Sequence, residues 1–182
     1  MSSDRRGSGT DIAHGFAAIV GENPSVLILG SLPGQASLVA RAYYAMPRNA
    51  FWPIMSTVTG VAAEASYADR CAGLKNAGLA LWDVCASAQR PGSLDAHIRP
   101  LSVQANPIDA LLNEHRSIHT VLFNGRMAAA LYQRWIAPSL NAERPALRYH
   151  VLPSTSPAHA AKSFQSKCDE WRGTLRAAFN AL

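Results

Sequence analysis

Four short apolar runs constrain this chain more than any other feature: Val26-Leu27-Ile28-Leu29, Leu79-Ala80-Leu81-Trp82, Val121-Leu122-Phe123 and Tyr149-His150-Val151-Leu152. None alternates cleanly between apolar and polar residues. A strand with one wet face alternates, whereas a strand covered on both faces reads as a continuous apolar run. The runs therefore predict strands of a parallel sheet held between two layers of helices. Helical patterns separate them, as such a sheet requires. Asn106-Pro107 reads as a cap and first helical residue ahead of Ile108, Leu111 and Leu112. Between residues 125 and 137, Met127, Leu131 and Trp135 lie about one turn apart. Phe51, Ile54, Met55 and Val58 repeat at the same period, with Pro53 tolerable only in the first turn. Phe164, Cys168, Trp171, Leu175 and Phe179 make the clearest amphipathic stripe. The expected fold class is α/β: a three-layer α/β/α sandwich around a four-stranded, mainly parallel sheet.

A chain of 182 residues suits one such domain, expected over residues 12–182 behind a flexible tail at 1–11. The tail has an Arg pair with no apolar stretch behind it, so it is not read as a signal peptide. No run approaches the ~18 apolar residues of a membrane span. The stretch Asn141–Arg148, with Pro138 and Pro145 near it, reads as a surface loop. Three cysteines, Cys71, Cys85 and Cys168, include no CxxC pair, which argues against a structural zinc or an iron–sulfur cluster. Cys168 falls on the apolar stripe of the last helix, and unpaired thiols fit a reducing cytosol. A cytoplasmic protein is expected, nucleoid-associated in a bacterial host. The net charge of +5 and a pI near 9.4 suit an anionic partner, nucleic acid first, or simply a basic surface.

In an open parallel sheet, ligands bind beyond the carboxyl ends of the strands. After the first run comes Gly30-Ser31-Leu32-Pro33-Gly34, which offers close backbone approach and hydroxyl donors but is neither a P-loop nor GxGxxG. Further on, Tyr43-Tyr44-Ala45-Met46-Pro47-Arg48-Asn49-Ala50-Phe51-Trp52-Pro53 packs four aromatics beside an Arg and an Asn. Aromatics stack on bases and Arg meets phosphates, and Trp52 is expected in the core. Asp83 follows the second run, and Asp95 further on is expected to accept backbone hydrogen bonds in a turn. Asn124-Gly125 follows the third: the amide either reads the edge of a flat ligand or caps a helix. Pro153-Ser154-Thr155-Ser156-Pro157-Ala158-His159 follows the fourth, a stiff loop of donors suited to phosphate oxygens. No GxSxG elbow supports a serine hydrolase.

Together these blocks resemble the uracil-DNA glycosylase superfamily, and most closely its hypoxanthine-DNA (deoxyinosine) glycosylase branch, the sixth family. The resemblance spans about residues 24–179, nearly the whole expected domain. Two positions depart from the family pattern: Met46 stands where a His is expected, and His159 where an Asn is expected. The acidic general base that some members carry in the first loop is replaced by Leu32.

The resemblance implies base excision on DNA containing deaminated bases, by a monomer, without metal or nucleotide cofactor. It gives Asn49 the catalytic role of holding the water or polarising the reacting centre. Phe51 would stack beneath a flipped base, Asn124 would bond its edge, and backbone amides near Ser31 and Leu32 would meet its carbonyl. Ser154, Thr155 and Ser156 would pinch flanking phosphates, with Arg48 on another. Pro157, Ala158 and His159 would fill the vacated stack. The matched motifs contain no lysine, so a Schiff-base lyase step is not expected. The alternative is a lesion- or single-strand-binding module on the same fold without chemistry.

Overall fold

A computed structural model describes residues 12–140 and 146–180. The expected tail at 1–11 and most of the expected loop at 141–148 lie outside the described residues. The four apolar runs form β2 (Val26–Gly30), β3 (Leu79–Asp83), β6 (Thr120–Asn124) and β7 (Arg148–Leu152), in the spatial order β3-β2-β6-β7. Every pairing in this sheet is parallel. All four carboxyl ends therefore lie along one edge.

Successive residues of a strand point to opposite faces, and the two cores divide accordingly. Val26 and Ile28 of β2 join α2 (Phe51–Thr59), α3 (Tyr67–Asn76) and α6 (Phe164–Phe179) on one face. Leu27 and Leu29 join α4 (Ile108–Glu114) and α5 (Arg126–Trp135) on the other. The three-layer sandwich is thus built by one strand feeding both cores. The expected helices all form. Pro53 sits in the first turn of α2, and Ile108, Leu111 and Leu112 are buried in α4. The short α1 (Gln35–Ala40) follows the first loop.

A second sheet was not foreseen. Strands β1 (Ile12–His14), β4 (Cys85–Gln89) and β5 (Gln104–Ala105) pair antiparallel in the order β1-β4-β5. Val84 alone separates β3 from β4, so the chain passes from one sheet into the other through a single residue.

Three local expectations are corrected. β7 is not covered on both faces: its first four residues are exposed, whereas β3 at the opposite edge is mostly buried. Phe164 opens α6 but is 53% exposed; the buried stripe there is Cys168, Trp171, Leu175 and Ala178. Asn106 does not cap α4. Its buried side chain instead donates from Nδ2 to the carbonyl of Asp83 at 2.8 Å.

Candidate active site

The loops beyond the four carboxyl ends enclose a cavity of about 440 Å³. That lies within the usual range for small-molecule sites. Residues 30–37, the group Tyr43, Tyr44, Met46 and Asn49, and residues 154–159 form three of its walls, and Asp83, Asn124 and Ser93–Ala96 complete it. Each wall is held by bonds that the sequence order alone does not suggest.

Arg90 organises the first loop. It is 2% exposed, and its guanidinium donates to the carbonyls of Leu32 (3.0 Å), Pro33 and Gly92 (3.2 Å). Its Nη1 also lies 3.9 Å from Asp95. Asp95 does not serve the turn as expected. Burial raises its carboxyl above the usual carboxylate range, while a Ser31 hydrogen bond and the Arg90 charge pull it back. Burial lowers Arg90 itself, against the pull of Asp95 and Asp83. One buried cation thus joins the first loop to the loop after β4.

The aromatic segment is arranged differently from expectation. Phe51 has 0% exposure and does not line the cavity. Tyr44 does, and its ring stacks on Phe51 with centroids 4.0 Å apart and planes 23° apart. The ring of Tyr44 therefore occupies the layer in which Phe51 was expected to meet a base. Tyr44 holds this position at φ +53°, a left-handed conformation costly for a bulky residue. Such strain costs about 1–3 kcal/mol and gathers at functional sites. Burial, then the Asp83 charge, raise its hydroxyl well above the ordinary tyrosine range. Trp52 lies in the core as expected, donating from Nε1 to the Tyr43 carbonyl at 2.8 Å.

Asn49 lines the cavity at the foot of α2, and its Oδ1 accepts from the backbone N–H of Phe51 at 3.0 Å. The bond fixes the amide and leaves its NH₂ group as the outward donor. Arg48 beside it is exposed and outside the cavity wall.

Asn124 lines the cavity at the end of β6 without capping α5, whose N-cap is Gly125. Its amide is already paired twice with Thr155: Nδ2 donates to Oγ1 at 2.9 Å, and Oδ1 accepts from the backbone N–H at 2.8 Å. One N–H and one lone pair remain for a ligand. Thr155 is accordingly corrected from a phosphate clamp to an internal strut. It is 1% exposed, and its carbonyl also accepts from Ala50 N–H at 3.0 Å.

Ser154 and Ser156 stay at the surface of this loop. Their oxygens accept from the backbone N–H groups of Ser156 and Ala158 at 3.2 Å each, leaving the hydroxyl protons to donate outward. Lys167, buried in α6, donates to the Ser156 carbonyl at 3.1 Å, and Trp171 donates to the Pro153 carbonyl at 3.0 Å. Ser31, Leu32, Pro157 and His159 all contribute to the cavity wall.

Asp83 was noted only as the residue that ends a strand. Here it forms part of the cavity wall at 3% exposure, with Oδ2 buried and without a hydrogen-bond partner. Burial, then the nearby Asp95, push its carboxyl up to about 7 despite Arg90. Gly30 opposite has to be glycine. A Cβ there would collide with Asp83 Oδ1 and approach the Tyr44 hydroxyl to 2.9 Å. A carboxylate closing an apolar strand was the one signal that pointed to this residue, and it did not distinguish a site from a turn.

Comparison with known proteins finds relatives in sequence and in fold. The chain is 34% identical over 113 residues to a hypoxanthine DNA glycosylase of Methanosarcina barkeri, covering 62% of this chain and 70% of that one. It is 31% identical over 171 residues to a hypoxanthine DNA glycosylase of Methanosarcina acetivorans, covering 91% of this chain and 99% of the relative. Its fold superposes with a TM-score of 0.75 and 30% identity on the solution NMR structure of a candidate uracil DNA glycosylase from Methanosarcina acetivorans, over 92% of this chain and 99% of that one. A cavity at the carboxyl edge of a four-stranded parallel sheet, these relatives, and a match over residues 18–178 to the model of the uracil DNA glycosylase superfamily lead to one assignment: the chain belongs to that superfamily.

Proposed function

We propose that this protein is a monofunctional DNA glycosylase that removes deaminated bases from DNA, hypoxanthine before uracil or xanthine. The observation that carries the reading is the cavity itself. It is a concave site with an aromatic wall and convergent amide and carboxyl groups, flanked by loops with outward hydroxyl donors. Two relatives named as hypoxanthine DNA glycosylases are the reason for putting hypoxanthine first.

A base inside a duplex is out of reach, so the nucleotide turns out of the stack at a cost of a few kcal/mol. In the cavity the Tyr44 ring, backed by Phe51, faces the base, and the remaining N–H of Asn124 meets its edge. Asn49, held by the Phe51 N–H, orients the water that attacks C1′ of the sugar. A neutral amide is a poor base. Cleavage therefore depends on orientation and on polar groups that stabilise the departing base. Ser154, Ser156 and Arg48 receive flanking phosphates, and Pro157, Ala158 and His159 stand where the stack has opened. The protein acts on DNA as a monomer.

Duplexes labelled at one end and carrying a single deoxyinosine, deoxyuridine or deoxyxanthosine test the proposal. After incubation, alkali cleaves at abasic sites. Scission at deoxyinosine ahead of the other two supports the reading. Tight lesion binding without scission would replace it with a binding module on the same fold.

A further inference from the structure

The proposed reaction leaves Asp83 without a task, although its carboxyl is buried in the cavity wall. The backbone at Asp83 and Val84 is tied to both neighbours. Val84 N–H donates to Gly30 C=O at 2.9 Å, Asn106 N–H donates to Val84 C=O at 2.8 Å, and Asn106 Nδ2 donates to Asp83 C=O. Gly30 supplies the room in which the carboxyl sits. Oδ2 is nevertheless left unpaired. Buried polar atoms without partners are uncommon, and each calls for a reason. The neighbouring amides of Asn124 and Asn49 cannot substitute for it, because an amide can donate a hydrogen bond but has no transferable proton.

We infer that Asp83, as the neutral carboxylic acid, is a catalytic residue that donates a proton to a ring nitrogen of the departing purine, N7 by preference. The inference rests on the glycosylase reading. The C1′–N9 bond breaks and its electron pair goes to the base. The Asp83 proton passes to N7, so hypoxanthine leaves neutral. The attacking water bonds to C1′ and gives up a proton to solvent, and the Asp83 carboxylate takes a proton back from solvent afterwards. Uracil offers no equivalent. Its anion has no second unprotonated ring nitrogen beyond the one whose bond breaks, so the device favours deaminated purines.

The titratable and charged groups facing Asp83 are Tyr43 and Tyr44 from the segment before α2, Cys85 from β4, and Arg90 and Asp95 from the loop after β4. Burial, then the charge of Asp95, hold the carboxyl neutral, and Arg90 opposes them. The two tyrosines and Cys85 titrate well above neutral pH. Asp83 therefore changes charge near pH 7 while these three stay neutral.

Single-turnover excision from deoxyinosine and deoxyuridine duplexes between about pH 5.5 and 9 tests this, with the wild-type chain and Asp83→Asn. The wild-type rate on deoxyinosine should fall about tenfold per pH unit above roughly 7. Asn keeps a donor but has no transferable proton. That variant should show a flat profile, a loss on deoxyinosine of at least about 30-fold at pH 6, and a loss on deoxyuridine below about 5-fold. Thermal melting and binding of an abasic-site duplex verify that the variant is folded. A flat wild-type profile through pH 7 overturns the inference whatever the variant does, as does a variant with the wild-type profile. Wild-type scission at deoxyuridine alone also overturns it while leaving the glycosylase reading standing. No scission at any deaminated base removes that reading, and the role of Asp83 falls with it.

Discussion

Asp83→Asn should make the protein more stable at high pH, even though it is expected to damage the chemistry. The carboxyl titrates near 3.8 when unfolded and at about 7 in the folded chain, chiefly because burial penalises its charge. Between those values the native state binds the extra proton, so stability falls as pH rises from about 4 to about 7 and is level above that. At 1.36 kcal/mol per pKa unit the loss from this group reaches at most about 4 kcal/mol. Asparagine has nearly the same shape and never ionises. Titrations of groups away from Asp83 are shared by both proteins and cancel in the difference. For a chain of this size each kcal/mol moves the midpoint by about 2–4 °C. The difference in Tm, variant minus wild type, should therefore grow by at least about 5 °C, and at most about 16 °C, between pH 4 and pH 8. Differential scanning calorimetry of both proteins across that range measures it. A difference that stays constant with pH, or shrinks as pH rises, would refute a neutral buried Asp83 directly and without any substrate.

Arg90→Met leaves the Leu32 and Pro33 carbonyls without their buried donor and Asp95 without its cation; the melting midpoint should drop by about 6–20 °C, from a loss of about 3–5 kcal/mol. It also removes the charge that lowers Asp83, so any pH break in excision should move upward. Asn49→Ala should cut single-turnover excision by at least about 100-fold while abasic-site duplex binding, read by fluorescence anisotropy, changes little. Gly125→Ala forces a side chain onto φ +97° with its Cβ 3.1 Å from that of Ser154, and urea denaturation should register a loss of about 1–3 kcal/mol. With a net charge of +5 and 16% charged residues, the slope of log K against log salt on duplex DNA should be shallower than about −4; a steeper one would reveal a dense phosphate grip that the composition does not provide.

The main sheet was legible because burial on both faces writes itself into composition: β2, β3 and β6 are unbroken apolar runs. The antiparallel sheet was not, because Cys85-Ala86-Ser87-Ala88-Gln89 mixes small and polar residues and leaves no clear period. Strand ends likewise pointed to the right loops, since backbone topology alone brings them to one edge. Which atom faces the cavity depends on partners distant in sequence. Nothing local to Asn124 reveals that its amide is held by Thr155, 31 residues away. Nothing in the Tyr43-Tyr44 pair reveals that the second ring covers Phe51. A motif names the residue types that meet, and packing decides which of them lies outermost.

Arg90 and Asp83 show why the second sheet matters to the site. The chain leaves the parallel sheet at Asp83 and enters the antiparallel one at Cys85, with Cys85 N–H donating to Ser31 C=O at 3.0 Å. β4 then carries the backbone to Arg90, whose side chain returns to the first loop. Loop, strand and cation close a ring around the carboxyl end of β2. Burial does most to raise the Asp83 carboxyl, and a nearby like charge adds to it while the loop is kept from opening. Asp95 provides the like charge. Arg90 restrains the loop through carbonyls while sharing its charge with Asp95, so it offsets only part of the rise at Asp83. A lysine could not do both, since it lacks the planar fork that reaches two carbonyls at once. Arg90→Lys should therefore preserve net charge yet loosen the first loop, and hydrogen exchange at Leu38 and Cys85, whose N–H groups bond to the Gly34 and Ser31 carbonyls, should accelerate while that in β2 stays slow. Unchanged protection at both would mean that the charge alone, rather than the fork, holds the loop.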